Sequence, residues 1–282
     1  MAVKLIIDSA SDINAKEAEE LGIIMLPMTI SFGEEDYYDG VNLTPQQFYE
    51  KLIESDKLPK TSQINSFRFE EEFEKLVKNG DEVVVITISS KLSGTYNSAV
   101  QAASGFAGKV YVVDSLNAAI GERLLALHAL KLIKEGKSAK EIAEELDAKK
   151  AKINLMAMLG TLEYLKKGGR ISAAVAFAGK LLALKPVIAV VDGEVKLIGK
   201  ALGSKNGSNL LNKLVAEKGG IDFDMPYGVI YSGLDDTMLK KYVSDSAHLY
   251  QNSTDHVPSY MIGGTIGTHV GPGAIGVAFF AK

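Results

Sequence analysis

The sequence predicts an α/β fold in two domains, an N-terminal Rossmann-like parallel sheet with helices on both faces and a C-terminal α/β domain with a mixed sheet. Three observations carry this. Runs rich in Ile and Val at 3–7, 23–31, 82–88 and 109–113 alternate with helical patterns through the first half, as parallel strands joined by crossover helices do. Beyond about residue 155, two strand-like runs are joined by Asp192-Gly193, a hairpin dipeptide, so the second sheet is mixed. The chain is also long enough, at 282 residues with 46% hydrophobic and 23% charged composition, to bury one large core or two ordinary ones. The boundary is placed to give domains 1–155 and 156–282.

The elements follow in order. Val3 to Ile7 opens the first sheet. Thr44-Pro45-Gln46-Gln47 combines a capping hydroxyl, Pro at the first helical position and Gln three residues after the cap. Helices are expected over 66–79 and 117–134, and Ser138-Ala139-Lys140-Glu141 starts another with a second capping box. The second half predicts helices near 160–166, 171–183, 205–218 and 235–250. Its strands are expected at 186–191, 194–199, 227–232, 257–262 and 274–280.

Composition narrows the function. The absence of cysteine excludes disulfides, thiolate metal sites and a Cys nucleophile. The most apolar stretch, 171–191, is broken by Lys180, Lys185 and Pro186, so stable membrane insertion is not expected. The N-terminal apolar run is too short for a secretory signal, and the expected location is cytoplasmic. Residues 1–141 carry 15 Lys and Arg against 22 Asp and Glu, while 151–205 carry 9 against 3. That basic segment suits an acidic partner, but it is too sparse for a nucleic-acid face.

Several segments offer chemistry. Gly271-Pro272-Gly273-Ala274-Ile275-Gly276 matches G-x-G-x-x-G, yet it precedes a terminal strand instead of opening a helix, so it is no dinucleotide site. Asp8 and Asp12 flank the end of the first strand, where Asp12 is expected to cap the helix beginning near Asn14 and Asp8 to hold the turn. A metal role for the pair lacks the accompanying ligands. Pro59 to Gln63 reads as a polar loop containing Thr61 and Ser62. Ser93-Gly94-Thr95 follows a buried strand and opens a helix, which places Ser93 and the Gly94 N–H where a helix start favours an anion. Thr268 and His269 lie in a Gly-rich stretch read as a loop, with the imidazole free to donate or accept a proton. Gly168-Gly169-Arg170-Ile171 is either a solvated turn, or a docking loop or phosphate contact.

In this order and spacing, the Asp8 loop, Thr61-Ser62-Gln63, Ser93-Gly94-Thr95, Gly168-Gly169-Arg170-Ile171 and His269-Val270-Gly271-Pro272-Gly273 resemble the DegV family of bacterial fatty-acid-binding proteins over essentially the whole chain. The resemblance implies a lipid-binding protein rather than an enzyme. It would hold a long-chain fatty acid with its tail buried and its carboxylate on Thr61, Ser93, Gly94 and His269, with Ser62, Thr95 and Thr268 secondary. No cofactor and no metal are implied. Some members present the acid to a separate ATP-dependent fatty acid kinase, and Arg170 matches a partner contact in those. Ala10 stands where relatives often carry Thr or Ser. The small residues of 173–179 leave room for a tail, or equally for tight helix packing.

The main rival is a serine hydrolase of acyl esters using Ser93 and His269, although no G-x-S-x-G elbow surrounds Ser93. A sugar or dihydroxyacetone kinase subunit follows only from fold analogy and lacks a P-loop. A pure interaction protein would use the basic 151–205 segment.

Overall fold

The computed structural model describes residues 2–172, 184–251 and 254–282. The first half runs β1 (Val3–Asp8), α1 (Ala15–Leu21), β2 (Ile24–Leu26), β3 (Thr29–Phe32), β4 (Glu35–Tyr38), α2 (Pro45–Glu54), β5 (Lys60–Ser62), α3 (Ser66–Lys78), β6 (Glu82–Thr87), α4 (Thr95–Ala103), β7 (Val110–Asp114), α5 (Ile120–Lys134) and α6 (Ala139–Lys149). Four strands form a parallel sheet in the order β2-β1-β6-β7. Val83 to Ile86 are fully buried, as a continuous apolar run covered on both faces requires. Two helix pairs, α3 with α4 and α5 with α6, pack against it. Both expected capping boxes are present, Thr44 with Gln47 and Ser138 with Glu141.

The second half runs β8 (Ile153–Met158), α7 (Glu163–Lys167), β9 (Leu184–Val191), β10 (Glu194–Leu202), α8 (Gly203–Glu217), β11 (Tyr227–Tyr231), α9 (Thr237–Asp245), β12 (Ser259–Met261), α10 (Gly264–Val270) and β13 (Ile275–Phe280). Its six strands are ordered β10-β9-β8-β13-β11-β12, with only β11 and β12 parallel. The β9–β10 hairpin turns through Asp192 at φ 51° and Gly193 at φ 81°, the positive pair that favours Asp-Gly. The change of sheet falls between α6 and β8, so a boundary after residue 155 runs through β8.

Four of the expected elements are corrected. The single strand read over 23–31 is two strands in different sheets, broken at Pro27, which has no N–H for a ladder; the next N–H, of Met28, donates to Ser9 Oγ at 3.0 Å. The polar loop around Thr61 contains β5, which joins β3 and β4 in a three-stranded antiparallel sheet. The helix read over 235–250 stops at Asp245, where the Ser246 hydroxyl exchanges hydrogen bonds with the Asn212 amide. The Gly-rich stretch around His269 is not a loop but carries α10. Its glycines permit close approach: a Cβ on Gly264 would meet Ile30 Cδ1 at 2.4 Å, and one on Gly267 would meet Phe48 Cε1 at 2.6 Å. The helix expected over 171–183, and the small-residue run within it, lie from residue 173 on outside the described residues.

The two sheets share one core. Ile230, Ala278 and Phe280 of the mixed sheet join Leu5 to Ile7 and Val83 to Ile86 in a single buried cluster. A polar junction runs beside it. Arg123, only 1% exposed, pairs with Glu17, donates to the Asp12 carbonyl and stacks on the Tyr260 ring at 3.9 Å. Asp8 ties the ends of β1 and β6 together, accepting from Ala10 N at 2.9 Å and Ile88 N at 2.8 Å. Asp12 is not the cap of α1, since Asn14 accepts from Glu17 N there. Instead Asp12 Oδ1 accepts from Gly263 N at 2.8 Å, while its Oδ2 is shielded and has no partner among the described residues.

Two predictions follow from this packing. Gly267→Ala adds a helix-favouring residue, yet overpacking against Phe48 and Tyr49 should destabilise the protein by about 1–3 kcal/mol in urea unfolding; a more stable variant would contradict the packing. Burial pushes the Asp8 carboxyl up to about 7 and that of Asp12 up to about 8. Raised folded-state values mean that the native state keeps protons which the unfolded chain releases above about pH 4. The associated stability is complete below that pH and is lost as pH rises through 7 and 8. Thermal melts should therefore fall from about pH 4 to about pH 8 and level off above it. Asp12→Asn, which keeps an acceptor for Gly263, should flatten that slope; an unchanged slope would remove Asp12 as its source.

Candidate functional site

In an open parallel sheet, the ends of the strands diverge where the strand order reverses, and a crevice forms there. With the order β2-β1-β6-β7 that point lies between β1 and β6. The segment after β6 continues into a cavity of about 220 Å³ between the two halves of the molecule. Ile88, Leu92 and Ala118 wall it on one side, and Ala157, Ile188 and Ile230 of the mixed sheet on the other. Most of the lining is aliphatic, with polar groups from Thr61, Gln63, Ser93, Arg170, Thr265 and His269.

Each polar residue is positioned by a local constraint. Thr61 lies on β5 and Gln63 just beyond its end; both line the cavity, whereas the exposed Ser62 between them does not. Gln63 lies so close to Gly94 that a Cβ there would meet its Oε1 at 2.0 Å, and its amide donates to Ser98 Oγ at 3.1 Å. Ser93 Oγ accepts from Thr95 N at 3.2 Å and lies 3.0 Å from Thr95 Oγ1. Thr95 Oγ1 already accepts from Ile64 N at 3.3 Å. Its own O–H can therefore be given to Ser93, which leaves the Ser93 hydroxyl proton for the cavity.

His269 stands near the end of α10, with Nε2 2.9 Å from Thr61 Oγ1. Its ring presses against Gly168, where a Cβ would meet Nδ1 at 2.2 Å. Burial, and next the positive charge of Arg170, push the imidazole down to about 4, so it is neutral at physiological pH. The half-buried Arg170 donates from Nε to the Leu92 carbonyl at 3.1 Å and from Nη1 to the Gly168 carbonyl at 2.6 Å. It thus ties the two walls together beside His269.

Thr61, Ser93, Gly94 and His269 all line this one cavity, and Arg170 lines it as well. Ser62, Thr95 and Thr268 do not. Thr95 is fully buried behind Ser93, and Thr268 donates to the Gly264 carbonyl within its own helix at 2.8 Å. Gln63 and Thr265 are cavity residues that the sequence reading missed. No strand pattern announced Gln63, which lies one residue beyond β5.

The arrangement favours holding an anion over attacking an ester. A base in a serine triad bonds to the nucleophile and is oriented by an acid on its other nitrogen. Here Nε2 bonds to Thr61, and Nδ1 is buried with no partner among the described residues. An imidazole titrating near 4 is also a weak base at neutral pH.

Among the described residues, no helix is long and apolar enough to cross a membrane. The family model described as "Uncharacterised protein, DegV family" matches residues 2–282. A DegV domain-containing protein of Halalkalibacterium halodurans is 35% identical, the match covering 99% of each chain. A DegV family protein from Thermus thermophilus, solved for its fatty acid binding, is 30% identical with a TM-score of 0.87 over 100% of both chains. DegV of Bacillus subtilis, a fatty acid binding protein, is 31% identical with a TM-score of 0.84, again over 100% of both. Matched from end to end in sequence and in fold, the chain belongs to the DegV family.

Proposed function

We propose that this protein binds one long-chain fatty acid, its tail in the aliphatic cavity and its carboxylate on Thr61, Ser93, the Gly94 N–H and His269. The observation that carries this is a single cavity with mainly aliphatic walls and a small set of donors beside one guanidinium. The fatty acid binding described for the Thermus thermophilus and Bacillus subtilis relatives supports it. A carboxylate leaving water must replace its hydration with several donors. Hydroxyls and a helix-start amide supply them, with the His269 imidazole turning the Thr61 hydroxyl toward the ligand and Arg170 adding positive potential. Burying each methylene yields about 0.8 kcal/mol, so roughly 14 of them contribute on the order of 11 kcal/mol before the costs of association. The tail supplies affinity and the polar end supplies orientation.

The protein acts as a carrier, not as a catalyst, and offers the bound acid to a separate ATP-dependent kinase that makes the acyl phosphate. Arg170 is the contact to that partner. Its guanidinium is half exposed at the wall where Leu92 and Gly168 meet, so it can serve the partner and the cavity together.

Three measurements test this. Native mass spectrometry, followed by organic extraction, should release about one equivalent of fatty acid on denaturation; a protein that carries none and takes up none when it is added would overturn the reading. Ser93→Ala should weaken retention roughly tenfold, the worth of one hydrogen bond to a charged group. Ester turnover by the wild type that vanishes in this variant would make the protein a hydrolase instead. Arg170→Ala should leave fatty-acid binding within about threefold and abolish kinase-dependent phosphorylation; loss of binding would assign Arg170 to the carboxylate.

A further inference from the structure

Helix α10 belongs in chain order to the second half, between β12 and β13, yet it is held at both ends by residues of the first. At its start, Gly264 N and Thr265 N donate to the two oxygens of Asp39 at 3.0 and 3.1 Å, and Gly263 N donates to Asp12 at 2.8 Å. Near its end, His269 bonds to Thr61. The flank between these ends is nearly smooth, because Gly264 and Gly267 face Ile30, Phe48 and Tyr49. Two glycines supply no knob to lock into a groove on this flank, while Ile266 on the same helix packs into the buried core. The carboxylates supply what the flank lacks. Asp39 is 2% exposed and does not line the cavity.

We propose that Asp39, assisted by Asp12, is a positioning residue for the polar end of the cavity: by clamping the first N–H groups of α10 it sets where His269 meets Thr61. His269 lies five residues beyond Gly264, about 7.5 Å along the axis at 1.5 Å per residue. A rigid turn and a half transmits any slip at the clamp undiminished. A shift of about 1 Å is enough to break a hydrogen bond of ordinary geometry. This rests on the reading of His269 as a carboxylate ligand given above.

The test compares palmitic acid with 1-hexadecanol, which share a tail and differ only in the group that meets the polar end. His269→Ala should reduce the preference for the acid roughly tenfold. Asp39→Asn keeps the shape of the side chain but only one acceptor oxygen, and should lose part of the same preference while alcohol affinity stays within about twofold. Asp39→Ala, which leaves two buried N–H groups unpaired, should lose all of it. The Asp39→Asn/His269→Ala pair should be no worse than His269→Ala alone. A shifted His269 Nε2 resonance in Asp39→Asn is expected for the same reason. Equal weakening of acid and alcohol by Asp39→Asn, or additive losses in the pair, would make Asp39 purely structural and overturn the proposal. If His269→Ala itself leaves the preference intact, the assignment of His269 fails first and the proposal falls with it.

Discussion

The structure depends on one crossing, the seating of α10 from the second half of the chain into the first. That helix must approach Phe48 and Tyr49 closely enough to bring His269 to Thr61, and this distance excludes any side chain at Gly264 and Gly267. It must also satisfy the free N–H groups at its start inside the protein, where no solvent does so. Asp12 and Asp39 meet that requirement, and burying their carboxyls raises both above the usual range. The same junction holds Glu122, fully buried and raised well above its ordinary value, first by burial and then by the charge of Asp8. Arg123, paired with Glu17, is the cation of this region. Buried carboxyls are thus concentrated behind the site and pushed toward their neutral form, whereas the cavity lining is mainly aliphatic.

Glycine makes the polar end possible in three other places. Gly94 admits Gln63, Gly168 admits the His269 ring, and Gly271 admits the ring of Tyr164, which a Cβ would meet at 2.3 Å. Only the last of these has a positive φ, at 69°. At the other two, the missing side chain matters more than backbone freedom. A motif of glycines around a histidine therefore reports close packing here.

Much of the fold was legible because apolar periodicity and caps are local. Val83 to Ile88, the two capping boxes and Asp192-Gly193 each announce their element within a few residues. What was not legible depends on distant partners. β5 is three residues long and becomes a strand only because β3 lies beside it. α10 has the glycine content of a loop and is a helix only because its neighbours reward close approach. Asp39 carried no signal at all, since its role is set by residues 225 and 226 positions away. Thr61, Ser93, Gly94 and His269 could be named in advance, through the family resemblance and the helix start after β6. Their convergence on one cavity was a property of the folded chain alone.

The protonation state of His269 links this geometry to the proposed carrier. A cationic imidazole would pair strongly with a carboxylate, but burial and Arg170 both oppose that charge. A neutral ring instead offers one N–H donor and one acceptor. If Nε2 accepts from Thr61, the proton sits on Nδ1, against Gly168; if Nε2 donates, the Thr61 hydroxyl proton is released toward the cavity. The second arrangement adds one hydroxyl donor to that of Ser93 without creating a buried ion pair. An incoming carboxylate then selects the tautomer by accepting from Thr61. Such a site grips the headgroup through several neutral bonds of modest strength and leaves most of the affinity to the tail. That balance suits a ligand which has to be released to a partner, because a few displaced donors free the carboxylate while the chain stays buried.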